Sequence, residues 1–128
     1  LLYPSVGEGF GLQILESLAC KCVPIVTDYT SLPEIVGEDR GLKIKVGAYV
    51  RGPWDVRRAV VDEMNMVSKM EYLYVLWKFN KGMLQGYQDR GYDYAKTMTW
   101  DNSYTKMKQV IDASLAGMDF VDMELEPI

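Results

Sequence analysis

At 128 residues, with 48% hydrophobic and 25% charged side chains, the chain has the composition of a globular domain that can bury a core of its own. Its net charge of -4, with lysine and arginine spread along the sequence, provides no dense basic patch for nucleic acid or anionic lipid. No apolar run approaches the roughly 20 residues of a membrane span and no signal peptide is recognisable, so we expect a cytoplasmic protein without a transmembrane segment.

Two residue types limit the chemistry that is available. The chain contains no histidine, which removes the commonest general base and every Ser-His or Cys-His pair. Cys20 and Cys22 are separated by one residue, which is too close for an ordinary disulfide, and two cysteines are too few for a zinc site. We therefore expect free thiols in a reducing compartment.

The first part of the chain alternates short apolar segments with one amphipathic helix. Residues 1–3 predict the end of a strand, and because no initiator methionine precedes them we expect the chain to be part of a longer protein. A helix is predicted over 12–22, with an apolar face that comprises Leu12, Leu15, Leu18, Ala19 and Cys22. Strands at 23–26 and 42–46 flank one helical turn at 33–36, which predicts parallel neighbours joined by right-handed crossovers.

The pattern becomes helical after Gly47. Residues 48–53, which contain Gly52 and Pro53, predict a loop, and Asp55 is the predicted cap of a helix that runs to about residue 66. Further helices are predicted over 68–81 and 84–98 with a break near Gly82, and a last helix follows Trp100 to about residue 115. The predicted caps of that last helix are Asp101 or Asn102.

Aromatic residues and acidic residues mark the end of the chain. Nine of the fifteen aromatic side chains lie between Tyr72 and Tyr104, and their helical spacing predicts that they belong to the core. Residues 117–128 read as an acidic, irregular tail. We therefore expect one domain over 1–116, followed by this tail.

A glycine-rich loop precedes the first predicted helix. Gly7, Gly9 and Gly11 are spaced two apart, which matches neither the dinucleotide fingerprint nor a P-loop. The loop lies at the carboxyl end of a strand, where open α/β sheets bind ligands, and the amides that open the helix can hold an anion such as a diphosphate. Gly9 and Gly11 would let the backbone approach that anion closely.

Two carboxylates flank this helix start. Glu8 lies in the loop and Glu16 about one and a half turns into the helix, so a ligand with sugar hydroxyls on either side of a phosphate, such as a nucleotide sugar, fits their spacing. A structural interpretation stays open beside this one. Glu8 would then favour the positive end of the helix dipole, and Glu16 would be a solvated residue on the polar stripe.

The order of several short blocks adds to this interpretation. The blocks are EGFGLQILE at residues 8–16, SLAC at 17–20, VPIVTD at 23–28 and LPEIVG at 32–37. Their order resembles the E-x7-E region of retaining glycosyltransferases of the GT-B fold, family GT4, over residues 3 to about 46, and the segment from Trp100 resembles the closing helix of that family. The implied fold is α/β, a partial Rossmann-like carboxyl-terminal donor-binding domain with a short parallel sheet followed by a helical half.

The resemblance implies a role for each residue of the loop. Glu8 would be the catalytic contact to hydroxyls of the transferred sugar, and Glu16 would bind the ribose hydroxyls. The stretch Gly9, Phe10, Gly11 and Leu12 would complete the donor-binding site. In this family the departing diphosphate helps to deprotonate the acceptor on the same face, which gives retention, so a chain without histidine is compatible with it. No metal ion or cofactor is expected, since Asp122-Met123-Glu124 does not match the metal site of the other large glycosyltransferase fold.

Three departures from the family pattern bear on function. Lys21 stands where glycine is usual in a left-handed helix cap, and Thr30-Ser31 replaces a frequent Gly-Gly pair. The family's Arg and Lys that neutralise the diphosphate lie upstream of this segment, as does the domain that binds a sugar, lipid or protein acceptor. We therefore expect this chain by itself to be inactive. The alternative is a non-catalytic glycosyltransferase-like module that binds a nucleotide or a protein.

Overall fold

The computed structural model describes residues 1–116, which divide into a compact unit over Leu1–Ala95 and a second unit that begins at Lys96. The acidic tail predicted over 117–128 and its Asp122-Met123-Glu124 segment lie outside the described residues. In chain order the elements are β1 (Leu2–Tyr3), α1 (Leu12–Ala19), β2 (Ile25–Thr27), α2 (Leu32–Val36), β3 (Leu42–Ile44), β4 (Val46–Arg51), a 3-10 turn (Pro53–Asp55), β5 (Arg57–Val61), α3 (Glu63–Phe79), α4 (Lys81–Thr97) and α5 (Trp100–Leu115).

The centre of the first unit is a short parallel sheet. Its strand order is β1-β2-β3, with Leu2 opposite Ile25 and Ile25 opposite Leu42. Apolar side chains pack on both faces of this sheet. One buried cluster joins α1 and α2 to β2, and it consists of Ile14, Leu18, Val26, Leu32, Ile35 and Val36. The other comprises Ile25, Leu42 and Ile44, against which α3 and α4 place Met66, Tyr72, Leu73 and Tyr87. The predicted α/β class, with a short parallel sheet and a helical second half, is confirmed.

Helix α1 occupies the predicted position but buries a different face. Its buried side chains are Ile14 and Leu18, four residues apart, whereas Leu12 is 60% exposed and Ala19 and Cys22 are also exposed. The predicted apolar face was therefore right for Leu18 and wrong for Leu12, Ala19 and Cys22. Packing against α2 and β2 buries the Ile14–Leu18 stripe, whereas Leu12 in the first turn is not part of that cluster.

The cap of α1 explains how the chain accommodates Lys21. The Lys21 amide donates to the Leu18 carbonyl at 2.9 Å and the Cys22 amide to the Ser17 carbonyl at 2.8 Å, the pair of bonds that ends a helix in a Schellman motif. Lys21 takes the left-handed conformation of this motif, with φ 55°. Its side chain ties the cap to α4, because Nζ donates to Asp89 at 2.7 Å and the Gln88 amide donates to the Lys21 carbonyl at 2.9 Å.

Residues 46–61 form an antiparallel hairpin, so the predicted loop over 48–53 and the predicted helix from Asp55 were both wrong. Strands β4 and β5 pair from Val46 opposite Val61 to Arg51 opposite Arg57. The local sequence permits either assignment, but the valines on both sides of Gly52-Pro53 and Tyr49 before it favour strands once they can pair. The hairpin is attached to the first loop of the chain, since the Ala59 amide donates to the Val6 carbonyl at 2.9 Å.

Helices α4 and α5 lie close to the predicted positions, whereas α3 begins at Glu63 and not at residue 68, and the helices use other caps than predicted. Asp62 caps α3 by accepting from the Asn65 amide at 3.0 Å, and the break between α3 and α4 falls at Asn80 rather than at Gly82. Thr99 caps α5 by accepting from the Asn102 amide at 3.2 Å. The predicted caps Asp55, Asp101 and Asn102 were therefore wrong, because in each case the helix begins at a different residue.

Most of the aromatic cluster on the helices is exposed. Tyr72, Tyr87 and Tyr94 are half-buried, but Trp77 and Phe79 on α3 and Trp100 on α5 are largely exposed. The prediction that these aromatic residues form the core was thus wrong for the greater part of the set. Within residues 1–116 no helix has both the length and the apolar character to cross a membrane.

Candidate functional site

The loop between β1 and α1 is held in place from three sides. Thr27 at the end of β2 donates its hydroxyl to the Ser5 carbonyl at 2.7 Å, and Ala59 of β5 donates to Val6. On the third side, the residues before α2 contact the loop through side-chain hydroxyls. The loop that carries Glu8 is therefore fixed at the carboxyl ends of β1 and β2, which is where a ligand site was expected.

Glu8 is positioned through one of its two carboxylate oxygens. The Tyr3 phenol donates to Oε1 at 2.7 Å, and the Ser5 hydroxyl donates to the same oxygen at 2.8 Å. Both hydrogen bonds stabilise the ionised form, so they lower the pKa of Glu8 below its ordinary value, with Tyr3 the larger cause. Among residues 1–116 no side chain or amide donates to Oε2, so this oxygen is available to a ligand hydroxyl.

Thr30 and Ser31 contact the same loop from the segment before α2. The Glu8 amide donates to the Thr30 hydroxyl at 3.0 Å, and the Ser31 hydroxyl donates to the Phe10 carbonyl at 2.8 Å. Thr30 has φ 53°, a left-handed conformation that favours glycine. The two hydroxyls that replace glycine here brace the loop backbone.

Backbone conformation and packing require a glycine at position 11 but not at position 9. Gly11 has φ 93°, and a Cβ there would lie 2.8 Å from Cδ2 of Leu32, so both conformation and packing require it. A Cβ at Gly9 would meet nothing within 4 Å. The packing of the described residues thus does not account for glycine at position 9. Open space beside its backbone is what close approach of a ligand needs.

The start of α1 presents backbone donors without a side-chain cap. Gly11 is the N-cap residue and has no side chain that could accept from the first-turn amides. Leu12 and Phe10 flank this start, and both side chains are largely exposed. The amides of the first turn and the positive end of the helix dipole therefore favour an anionic group at this position.

Glu16 lies apart from Glu8. It is exposed on α1, and no residue in the described part of the chain donates to its carboxylate. It does not line the cleft that Glu8 lines. The structure thus brings Glu8, Gly9, Phe10, Gly11 and Leu12 together in one loop and helix start, and places Glu16 along the exposed side of the same helix.

A cleft of about 270 Å³ opens beside Glu8. It is lined by Val6, Gly7, Glu8, Tyr29, Thr30, Val56, Arg57 and Arg58. The sequence patterns did not single out Arg57 or Arg58, because they predicted a helix from Asp55 to about residue 66 in place of strand β5. The available signal was the pair of valine-containing segments on either side of Gly52-Pro53, which is typical of a hairpin.

Arg57 is held in the wall of this cleft by aromatic contacts. Its guanidinium lies 3.7 Å from the centroid of the Tyr49 ring, and that ring meets the Tyr29 ring edge-on at 5.6 Å. The Tyr29 phenol donates to the Arg57 carbonyl at 3.0 Å. Within residues 1–116 neither Arg57 nor Arg58 has a carboxylate oxygen within 4.0 Å, so neither forms an ion pair there.

The donor set offers no obvious metal site in the described part of the chain. Residues 1–116 contain no group of three or more histidine, cysteine, aspartate or glutamate side chains that could hold a metal ion. Cys20 and Cys22 are free and exposed. The chemistry of the loop therefore has to be considered in terms of carboxylate, hydroxyl, amide and guanidinium groups.

The glycine-rich loop lies in the part of the chain that is similar to known proteins. Residues 1–63 match the family model described as "Glycosyl transferases group 1". A segment of 41 residues is 54% identical to "O-antigen chain mannosyltransferase B" of Escherichia coli, which amounts to 32% of this chain and 10% of that protein. The matched segment thus spans about a tenth of this relative's length. The family match ends in the first turn of α3, so it covers the parallel sheet, the glycine-rich loop and the hairpin.

Proposed function

Because residues 1–63 match the family model described as "Glycosyl transferases group 1", we propose that the full-length protein transfers a sugar from a nucleotide-diphosphate sugar to an acceptor, with retention of configuration. This chain would supply part of the donor site. The relative is named a mannosyltransferase, so we propose a hexose as the transferred sugar and a mannose-bearing nucleotide as the first donor to test.

The observation on which this proposal rests most is that only one of the two carboxylate oxygens of Glu8 accepts hydrogen bonds within the described residues. Tyr3 and Ser5 both donate to Oε1, which fixes the orientation of the side chain and leaves Oε2 free beside the glycine-rich loop. An oriented, ionised carboxylate is well suited to accept hydrogen bonds from sugar hydroxyls. Orientation before binding also reduces the entropy lost when the substrate is bound.

The donor would extend from Glu8 along the start of α1. We place the transferred sugar at Oε2 of Glu8, the diphosphate at the amides of Gly9, Phe10, Gly11 and Leu12, and the ribose hydroxyls at Glu16. The open space beside Gly9 and the uncapped first turn of α1 support the position of the diphosphate. The departing diphosphate would then receive the acceptor proton on the same face of the sugar, so these residues need only bind, orient and stabilise charge.

The acceptor would be a sugar, lipid or protein bound by a domain amino-terminal to this one, in a cytoplasmic enzyme. The exposed free thiols of Cys20 and Cys22 support a reducing compartment. We propose that residues 1–128 alone do not transfer sugar, because the acceptor side of the cleft would be missing. Turnover of any nucleotide sugar by the isolated chain would contradict this part of the proposal.

The experiment uses the full-length protein and its Glu8→Gln variant. Thermal-shift measurements with UDP-, GDP- and ADP-sugars identify the donor, and NMR of the product gives the configuration of the new bond. We expect Glu8→Gln to reduce kcat/KM by about a hundredfold, because the neutral amide accepts weaker hydrogen bonds from the sugar. Glu71→Gln on the exposed side of α3 is the matched control and should retain full activity.

A second candidate function is a non-catalytic module that binds a nucleotide or a protein. The exposed aromatic side chains of α3, Trp77 and Phe79, are the observation that favours it. The same set of measurements separates the two functions. Binding of a nucleotide sugar without transfer to any acceptor, by wild-type protein, would support the module and reject the enzyme.

A further inference from the structure

The hairpin of β4 and β5 places positive charge in the cleft beside Glu8. Arg57 and Arg58 line this cleft together with Glu8 and Thr30. Within residues 1–116 no carboxylate neutralises either guanidinium. An arginine without an ion-pair partner in the lining of a cleft can receive an anion, because arginine forms bidentate hydrogen bonds with phosphate and carboxylate groups.

Arg57 is also restrained before any ligand arrives. Its guanidinium stacks on Tyr49 at 3.7 Å, Tyr49 meets Tyr29, and the Tyr29 phenol holds the Arg57 carbonyl. A stacked guanidinium keeps its edge N–H groups available while its flat face is occupied. The arrangement thus fixes the side chain without using its hydrogen-bonding capacity.

The position of the cleft separates this anion from the diphosphate of the donor. The lining includes Val6, Gly7 and Glu8 but no residue from Gly9 onward in the loop and none from α1. The proposed diphosphate position is at the start of α1, which does not line the cleft. We infer that an anion in the cleft would lie beside the proposed sugar position at Glu8 and apart from the diphosphate, where an acceptor could reach it.

We propose that Arg57, stacked on Tyr49 in the wall of the Glu8 cleft, binds a phosphate group of the acceptor and thereby selects acceptors that carry phosphate near the hydroxyl that receives the sugar. This assignment rests on the proposed function for the identity of the neighbouring sugar site. A phosphate group fits this position, because the Arg57 guanidinium can donate two parallel hydrogen bonds to its oxygens. Arg58, the next residue in the lining, adds positive charge that offsets the ionised Glu8.

The test uses inorganic phosphate as the probe and the full-length protein, at constant ionic strength set with chloride. Phosphate binding is measured by 31P NMR in wild type, Arg57→Ala, Arg57→Lys and Arg51→Ala, with and without a saturating nucleoside diphosphate. Arg51 is the matched control: it pairs with Asp55 at the hairpin tip, lies opposite Arg57 in the strand register and does not line the cleft.

We expect phosphate to bind the nucleotide-saturated wild type, with affinity reduced about tenfold by Arg57→Ala, less by Arg57→Lys and unchanged by Arg51→Ala. Three results would overturn the proposal: no phosphate binding to wild type, equal losses in Arg57→Ala and Arg51→Ala, or displacement of phosphate by the nucleotide. The last would identify the anion as the donor's own diphosphate.

Failure of the phosphate-site proposal can be distinguished from failure of the proposed glycosyltransferase function. If the protein binds no nucleotide sugar, the proposed function fails, while the comparison of Arg57 and Arg51 variants in nucleotide-free protein still decides whether the cleft binds phosphate. Circular dichroism of each variant shows whether it is folded. Arg57→Lys, which keeps the charge, gives a folded comparison if Arg57→Ala loses structure.

Discussion

The phenol of Tyr3 and the carboxylate of Glu8 are joined by a hydrogen bond of 2.7 Å that runs from strand β1 to the loop that follows it. The bond raises the pKa of Tyr3 and lowers that of Glu8, with the hydrogen bond the largest cause of both shifts. Tyr3 therefore acts on the candidate sugar contact from outside it, as a positioning residue.

Removing the Tyr3 hydroxyl tests this relationship. With Tyr3→Phe we expect kcat/KM to fall by roughly three- to tenfold, because Glu8 loses one of the two donors that orient it. The pKa of Glu8 should rise toward its ordinary value, so the acid limb of the kcat/KM profile should move to higher pH. A pH-rate profile of the full-length protein measures both effects.

Two further variants serve as comparisons for Tyr3→Phe: Ser5→Ala, with a smaller expected effect, and Tyr74→Phe, with none. Ser5 is the smaller cause of the lowered pKa of Glu8, so Ser5→Ala should shift the acid limb in the same direction by less. Tyr74 is exposed on α3, and its phenylalanine variant should match wild type. An acid limb that stays at the wild-type pH in Tyr3→Phe, with activity lowered, would show that Tyr3 has only a structural role.

We expect substitution of Gly11 to affect stability and substitution of Gly9 to affect donor binding. Gly11→Ala should lower the free energy of unfolding by about 2 kcal/mol or more, because alanine is strained at positive φ and its Cβ meets Leu32. Gly9→Ala should change stability by less than about 0.5 kcal/mol but weaken donor binding, since the methyl group occupies the open space. Urea unfolding and calorimetry separate the effects, and unchanged nucleotide-sugar affinity in Gly9→Ala would place the diphosphate elsewhere.

Glu16 is proposed to bind the ribose of the donor. Glu16→Ala should weaken binding of the nucleoside diphosphate by about 1 to 3 kcal/mol, as expected when charge-assisted hydrogen bonds are lost. Calorimetry on the full-length protein, with Glu71→Ala as the exposed control, gives the difference directly. Equal affinities of Glu16→Ala and wild type would leave Glu16 as a solvated helix residue.

We expect the melting temperature to fall in the order Lys21→Gly, wild type, Lys21→Ala. Lys21→Gly relieves the left-handed conformation at φ 55° and should melt above wild type, because the exposed pair with Asp89 contributes little. Lys21→Ala keeps the strain and loses the pair, so it should melt below wild type. Differential scanning calorimetry of the three proteins tests the order, and a glycine variant that melts below wild type would show that the contact with α4 dominates.

Local patterns were sufficient for the parallel sheet and for the loop. Three apolar segments, one amphipathic helix and one proline-started turn predicted the α/β order that the structure has. The order of these elements along the chain also predicted that the loop with Glu8 and the glycines follows the carboxyl end of β1. The family resemblance added a proposed role for each of these residues, which spacing alone left open.

The hairpin could not be predicted in the same way. Residues 55–66 carry both helix-forming and strand-forming side chains, and only pairing of Arg57–Val61 with Val46–Arg51 decides between them. The buried face of α1 was likewise chosen by its neighbours, since Ile14 and Leu18 are buried against α2 and β2 while Leu12 is not.

The sequence by itself determined a short parallel α/β sheet with a glycine-rich loop and an acid at its edge, because these depend on periodicity and on the conformation of single residues. Only the tertiary structure decided that Tyr3 and Ser5 orient Glu8, and that Arg57 faces the same cleft. Tyr3 and Ser5 are close to Glu8 in sequence, but contacts from Thr27, Thr30 and Ala59 hold the loop in which they meet it. Arg57 reaches the cleft only because the hairpin strands pair. Contacts of this kind join distant segments of the chain, and no local pattern encodes them.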